Sequence, residues 1–133
     1  MIEEGTANAI LDQLAEAVIF ATQAGKISLW NQASTALFGF EKDEAIGQSL
    51  DFIVPPHLRN AHWAGFNAAT TTGRLKLSGK PTLTRALHKS GRRVYIEMSF
   101  ALVRSGEGAI VGSVAVARDV TERVERERGA TQQ

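Results

Sequence analysis

The residues whose chemistry is most open are three histidines, His57, His62 and His88. His62 stands apart because of its company. It lies within Pro55–Gly73, PPHLRNAHWAGFNAATTTG, where Leu58, His62, Gly65, Phe66 and Ala69 recur at helical spacing and share one face. Imidazole is a common metal ligand. A lone histidine on such a face is more often a packing residue than a ligand, so the pattern alone leaves both readings open. His57 sits in the first turn, about 100° round from Leu58, and reads as surface. His88 closes a strand before a turn and reads as exposed. Met98 falls in an alternating apolar row and reads as core, and Trp30 and Trp63 read as packing residues. Cysteine is absent, which removes disulfides, thiolate metal sites and cysteine nucleophiles together. No Ser/His/Asp or paired-carboxylate arrangement and no Gly-rich phosphate loop stands in a context that supports catalysis, so an enzyme is not expected.

The elements that must position His62 are legible in outline. Pro55 and Pro56 suit the start of its helix, where a missing N–H costs nothing, and Gly73 suits the left-handed turn that ends one. Upstream, residues 6–14 read as a short amphipathic helix with Ile10, Leu11 and Leu14 apolar and Thr6 or Asn8 as cap. Residues 17–21 and 26–30 read as a hairpin around a Gly25 turn, with Ile27 and Leu29 on one side and Ser28 and Trp30 on the other. Asn31 caps a helix over 32–38 that buries Leu37 and ends at Gly39; a helical turn over 42–46 ends at Gly47. Downstream of a basic segment, 74–80, a strand runs over 81–88 and a turn over 89–92. Val94, Ile96, Met98, Phe100 and Leu102 then alternate with polar and small residues, a half-buried strand. A second turn precedes a valine-rich strand over 109–118, expected to be buried on both faces. The whole predicts an α+β fold, an antiparallel sheet of about five strands with helices on one face. Asp119 is expected to pair with Lys89 or Arg92. Thr121 is expected to cap a highly charged helix whose apolar residues are Val120 and Val124. Such a tail is either a frayed end or the first turn of a helix leading elsewhere.

Composition narrows the classes. The chain has 133 residues, 44% hydrophobic and 22% charged, with a net charge of +1, which suits one globular domain. It lacks the basic footprint of a nucleic-acid binder, an apolar run of the roughly 18 residues that spans a bilayer, and a signal-peptide pattern. The expectations are no nucleic acid, no membrane and a cytoplasmic location.

From about Leu11 to Arg123 the chain resembles a PAS sensor domain. The resemblance rests on Gly25-Lys26-Ile27 before Trp30-Asn31-Gln32-Ala33, then Leu37-Phe38-Gly39-Phe40 and Glu44-Ala45-Ile46-Gly47-Gln48-Ser49. Lys89-Ser90-Gly91-Arg92 and the exit Asp119-Val120-Thr121-Glu122-Arg123 complete it. It implies the PAS fold, a five-stranded antiparallel sheet with short helices and one longer helix on one face. It divides the chain into an amino-terminal cap helix over 1–14, a PAS domain over 15–121 and an exit helix or linker over 122–133. It also implies a small-molecule pocket, dimerisation, and signalling to a kinase, cyclase or other output domain; the apolar Ile10, Leu11 and Leu14 make the amino-terminal helix the expected interface of a homodimer, against the outer sheet face.

Within the family, the haem-binding subclass of FixL-type oxygen sensors is the one resembled. There a helix-borne His, an aromatic about four residues on and a Thr/Gly helix end recur, and His62, Phe66 and Gly73 match. The resemblance implies b-type haem held by His62, sensing O2, NO or CO, with Gly65 and the neighbouring alanines leaving room for the macrocycle. Lys80, near Leu77-Ser78-Gly79, takes the place of an arginine that faces the gas in such kinases, or Arg85 reaches it from the next strand. Lysine lacks the planar fork. Met98 and Phe100 form the apolar ceiling, and Arg74, Lys76 or Arg85 pair with the propionates. Flavin is the less favoured cofactor, since the adduct chemistry of flavin photosensors needs a cysteine. The alternative reading is a haem-free interaction module, or the same pocket filled by another small molecule.

Overall fold

The computed structural model describes residues 2–74 and 80–131. In chain order the elements are α1 (Glu4–Gln13), β1 (Ala17–Thr22), β2 (Ile27–Trp30), α2 (Gln32–Phe38) and α3 (Lys42–Ala45). Two single turns of 3₁₀ helix, Leu50–Ile53 and Pro56–Leu58, lead into α4 (Arg59–Thr72). Then come β3 (Thr82–Leu87), β4 (Arg93–Arg104), β5 (Ile110–Asp119) and α5 (Thr121–Thr131). The strands form one antiparallel sheet in the order β2-β1-β5-β4-β3. The last strand lies between the first and the fourth, so the two hairpins close on each other through β1–β5.

Asn31 is the junction of the amino-terminal half. It is 2% exposed. Its Oδ1 accepts from Val18 N at 2.9 Å, Ser34 N at 3.1 Å and Ser34 Oγ at 2.8 Å. Its Nδ2 donates to Leu11 O at 2.8 Å and Glu16 O at 3.1 Å. One side chain therefore caps α2, completes β1 and ties down α1. The helix α1 itself begins earlier than expected, with Glu3 rather than Thr6 or Asn8 at its cap position.

The hairpin departs from simple alternation. Ile19 pairs with Trp30 and Phe20 with Leu29, but Ala21 pairs with Ile27, leaving Ser28 unmatched. That β-bulge turns Ile27 and Trp30 to the same side, and both are buried while Leu29 is half-buried. The expected division, Ile27 with Leu29 against Ser28 with Trp30, is corrected by this one extra residue. Trp30 then anchors the core: its ring lies 5.5 Å from Phe38 and 5.8 Å from Phe52, and its Nε1–H donates to Thr35 Oγ1 and Phe40 O. The free edge of β2 is covered by backbone bonds to Gly47–Leu50, including Ile27 N to Gln48 O at 2.9 Å.

Register assigns the core-facing side of the sheet. Ala17, Ala117, Met98 and Thr82 form one row; Ile19, Ala115 and Phe100 the next; Ala21, Ser113 and Leu102 the third. The core gathers on Ala17, Ile19, Ile27, Val94, Ile96 and Ala117 beneath Phe38 and Ile53, with Met98 packed against it. β5 is mostly half-buried rather than buried on both faces.

The carboxy-terminal helix is docked, which corrects the frayed-end reading. Val120 and Val124 are both buried. Thr121 Oγ1 accepts from Tyr95 N at 2.9 Å, and Glu97 pairs with Arg118 at 2.7 Å and Arg123 at 3.2 Å. The Arg128 guanidinium lies 4.9 Å over the Tyr95 ring, a cation–π contact. Asp119 makes no ion pair with the 89–92 turn as expected; its Oδ1 accepts from Thr121 N and caps α5, while Lys89 pairs with Glu44 at 2.7 Å.

Candidate functional site

The helix α4 is a strap tied at both ends. At its start, Arg59 Nε donates to Val54 O at 3.0 Å, and the Trp63 indole lies on the β1–β2 turn. A Cβ at Gly25 would fall 2.3 and 2.5 Å from atoms of that ring, and Gly25 has φ 78°. Only glycine meets both conditions. The indole N–H donates to Asp51 Oδ1 in the first 3₁₀ turn. At its other end α4 stops on Gly73, in the left-handed conformation with N–H bonded to Ala69 O at 2.9 Å. Arg104 of β4 holds that end, donating to Gly73 O at 3.0 Å and Gly108 O at 3.1 Å. Gln23 Nε2 donates to Ile110 O and joins the two hairpin ends. Between its ties α4 approaches the sheet over β5.

His62 sits in the first half of this strap. Its ring meets the Trp63 indole edge-on at 4.8 Å and stacks toward Phe66 at 6.2 Å. Nδ1 is buried and has no hydrogen-bond partner among the described residues. A buried ring nitrogen left unpaired costs about 1–3 kcal/mol. Burial holds the imidazole pKa below its ordinary value, opposed by the negative charge of Asp51. The ring is therefore neutral near neutral pH and presents one N–H and one lone pair.

The other expected site residues divide. Met98 and Phe100 lie on the core-facing side of β4, where Phe100 is 36% exposed. Its register partner is the small Ala115, with Ser113 opposite Leu102 in the next row. Phe66 is half-buried on α4. Arg74 and Lys80 are exposed on either side of residues 75–79. Lys76, Leu77, Ser78 and Gly79 lie outside the described residues. Arg85 falls in the row of Tyr95, opposite the side of Met98, and its Nη2 lies 3.3 Å from His57 Nε2. Arginine donates only, so His57 accepts there, and this guanidinium is engaged at the edge strand. His88 is not the exposed residue expected. It is half-buried, its ring lies against Gly39, and its Nδ1 is 3.0 Å from Ser90 Oγ. Asp51 and Gly25 are site residues that sequence reasoning missed; Gly25 signals a turn, and nothing in its own neighbourhood reveals the indole above it.

Among the described residues no group of three or more His, Asp or Glu side chains is placed to hold a metal ion. No helix among them is long and apolar enough to cross a membrane.

The PAS fold family matches residues 7–120. The chain belongs to the PAS family. As a solved structure, the PAS domain of a Colwellia psychrerythraea protein superposes with a TM-score of 0.77 at 24% identity, covering 89% of this chain and 97% of that one. A chain of an RNA-binding light-oxygen-voltage receptor gives 0.73 at 25% identity, covering 96% of this chain and 36% of that one. Among curated relatives, the sensor protein FixL of Bradyrhizobium diazoefficiens is 29% identical over 114 residues, 85% of this chain and 22% of FixL. The oxygen sensor protein DosP of Escherichia coli is 24% identical over 111 residues, 84% of this chain and 14% of DosP. An uncharacterized protein of Azorhizobium caulinodans is 29% identical over 129 residues, 96% of this chain and 17% of its own length. The PAS domain thus spans less than a quarter of each of these relatives.

Proposed function

We propose that this PAS domain is a sensory module that holds b-type haem through His62 and relays binding of a diatomic gas to an attached output domain. The observation that carries the reading is the buried, unpartnered Nδ1 on a neutral imidazole. Such a ring is ready to give its lone pair without first losing a proton, and a metal-bearing occupant would relieve the cost of its burial. The residues around it fit a flat apolar group. Phe66 flanks the histidine on α4; Ala115 and Ser113 leave room on the sheet; Met98 and Phe100 supply an apolar wall. The exposed cations Arg74 and Lys80 are those available to propionate carboxylates. When bound, haem would supply an iron able to take up O2, NO or CO. FixL and DosP, a sensor and an oxygen sensor by name, support the same class.

Haemin titrated into the purified chain tests this. The expected result is a stoichiometric Soret band in the wild type, lost or shifted in His62→Ala. A wild type that takes up no haemin, or a variant with an unchanged ferrous spectrum, refutes haem ligation by His62. Likeness to a light-oxygen-voltage receptor favours flavin only as a non-covalent occupant, because the chain has no cysteine to form an adduct.

One observation favours a second reading, a dimerisation module without haem. α1 buries none of its residues, and Ile10 and Leu14 are 48% and 43% exposed. A second copy would cover them. Light scattering that finds a monomer at high concentration, unaltered by Ile10→Glu, removes that reading.

A further inference from the structure

We propose that Asp51 and Trp63 are positioning residues that fix the direction of the His62 ring, acting as a clasp between the first 3₁₀ turn and α4. The inference rests on the reading of His62 as a haem ligand.

The geometry points to the clasp in three steps. First, Trp63 is immobilised from two sides. Its ring lies on Gly25 so closely that no Cβ fits there, and its N–H is taken by Asp51. Second, Asp51 is itself held: its N–H bonds Ser49 Oγ at 3.2 Å, and its carbonyl accepts from Val54 N at 3.1 Å. Third, the orientation of the His62 ring is not set through its buried Nδ1, the nitrogen read above as the ligand, which has no hydrogen-bond partner among the described residues. What sets it is the edge of Trp63 at 4.8 Å and the face of Phe66, itself T-shaped to Trp63 at 5.3 Å. A metal-ligating histidine is usually aimed by a hydrogen bond from its second nitrogen. Here a packed indole, held by a carboxylate, takes that part.

The tolerance is narrow. Side-chain tips lie about 5–6 Å from a helix axis, so a 10° rotation of α4 moves the imidazole by about 1 Å. Ligation needs placement within about 0.5 Å. Near His62 the helix is tied by Trp63 and by Arg59, whose Nε donates to Val54 O, and of these two only Trp63 touches the His62 ring; Arg104 acts more than two turns away.

Haemin titration, ferrous resonance Raman of the iron–histidine stretch and NMR of the His62 ring protons in haem-free protein test the clasp together. Asp51→Ala and Trp63→Phe are each expected to weaken haemin binding at least tenfold and to move the stretch. Asp51→Asn, which keeps an acceptor for the indole N–H, is expected to restore both. In haem-free protein the His62 ring protons shift in Asp51→Ala and stay in place in Asp51→Asn. If His62→Ala loses haemin but Asp51→Ala and Trp63→Phe match the wild type in affinity and stretch, the clasp is overturned and haem ligation stands. If His62→Ala binds haemin like the wild type, haem ligation falls. The ring-proton shifts then decide the clasp alone, and identical shifts in Asp51→Ala and wild type overturn it. Melting temperatures exclude a folding defect as the cause.

Discussion

Replacing Asn31 by alanine is predicted to weaken the domain globally and to free α1 in particular. The side chain makes five hydrogen bonds to four residues. Losing the α2 cap costs about 1 kcal/mol. Val18 N then has no acceptor inside the sheet, a buried donor worth about 1–3 kcal/mol. Leu11 O and Glu16 O lie nearer the surface and recover a partner from water at smaller cost. The sum is about 2–4 kcal/mol, a large part of the roughly 5–15 kcal/mol that holds a domain together. Because α1 buries none of its own residues, the bond from Asn31 to Leu11 O is a main tie between that helix and the body. Urea unfolding measures the first effect at unchanged slope; amide exchange across Glu4–Gln13 measures the second. Asn31→Asp separates them, since it keeps the acceptor for α2 and loses both donors to the α1 side. A loss below about 1 kcal/mol in Asn31→Ala, or α1 exchange that stays at its wild-type rate, refutes this account of the junction.

Other predictions follow from charge. The folded-state pKa of His62 lies below its ordinary 6.5, so the unfolded chain binds the proton more readily. His62's contribution to stability is complete above pH 6.5 and is lost as pH falls toward the depressed value; the melting temperature of haem-free wild type should drop over that range, and His62→Leu should flatten the drop. Glu97 is held below its ordinary 4.5 by hydrogen bonds from Arg118, then Arg123. Its hold on α5 is present above pH 4.5 and lost as pH falls through the lower folded value. Limited proteolysis should accordingly cut Thr121–Thr131 faster in Glu97→Gln at neutral pH, with little change in global stability because both arginine partners of the half-buried Glu97 are exposed to solvent. Equal cutting of wild type and variant would show that Val120, Val124 and Tyr95 suffice.

Local order was written plainly. Proline before Arg59 and glycine after Thr72 bracket α4, Asn31 caps α2, and the alternation from Val94 to Leu102 gives β4, because turn chemistry, capping and side-chain period act within a few residues. The family motifs follow the same short range, so the sheet and its helices were legible with them. Tertiary structure decided what depends on contacts between distant segments. The Ser28 bulge turned Leu29 away from the core, Asp119 became a cap, and His88 folded onto Gly39. The docking of α5 was hidden because Val120 and Val124 become buried where the helix meets β4, a strand more than fifteen residues away in sequence. The surroundings of His62 belong to the same class: helical spacing puts the ring on one face of α4 with Phe66 and Ala69, while the indole of the neighbouring Trp63 rests on Gly25 and bonds Asp51, two segments distant from the helix. Spacing along a chain fixes which residues share a face, and only packing between segments fixes where the face points.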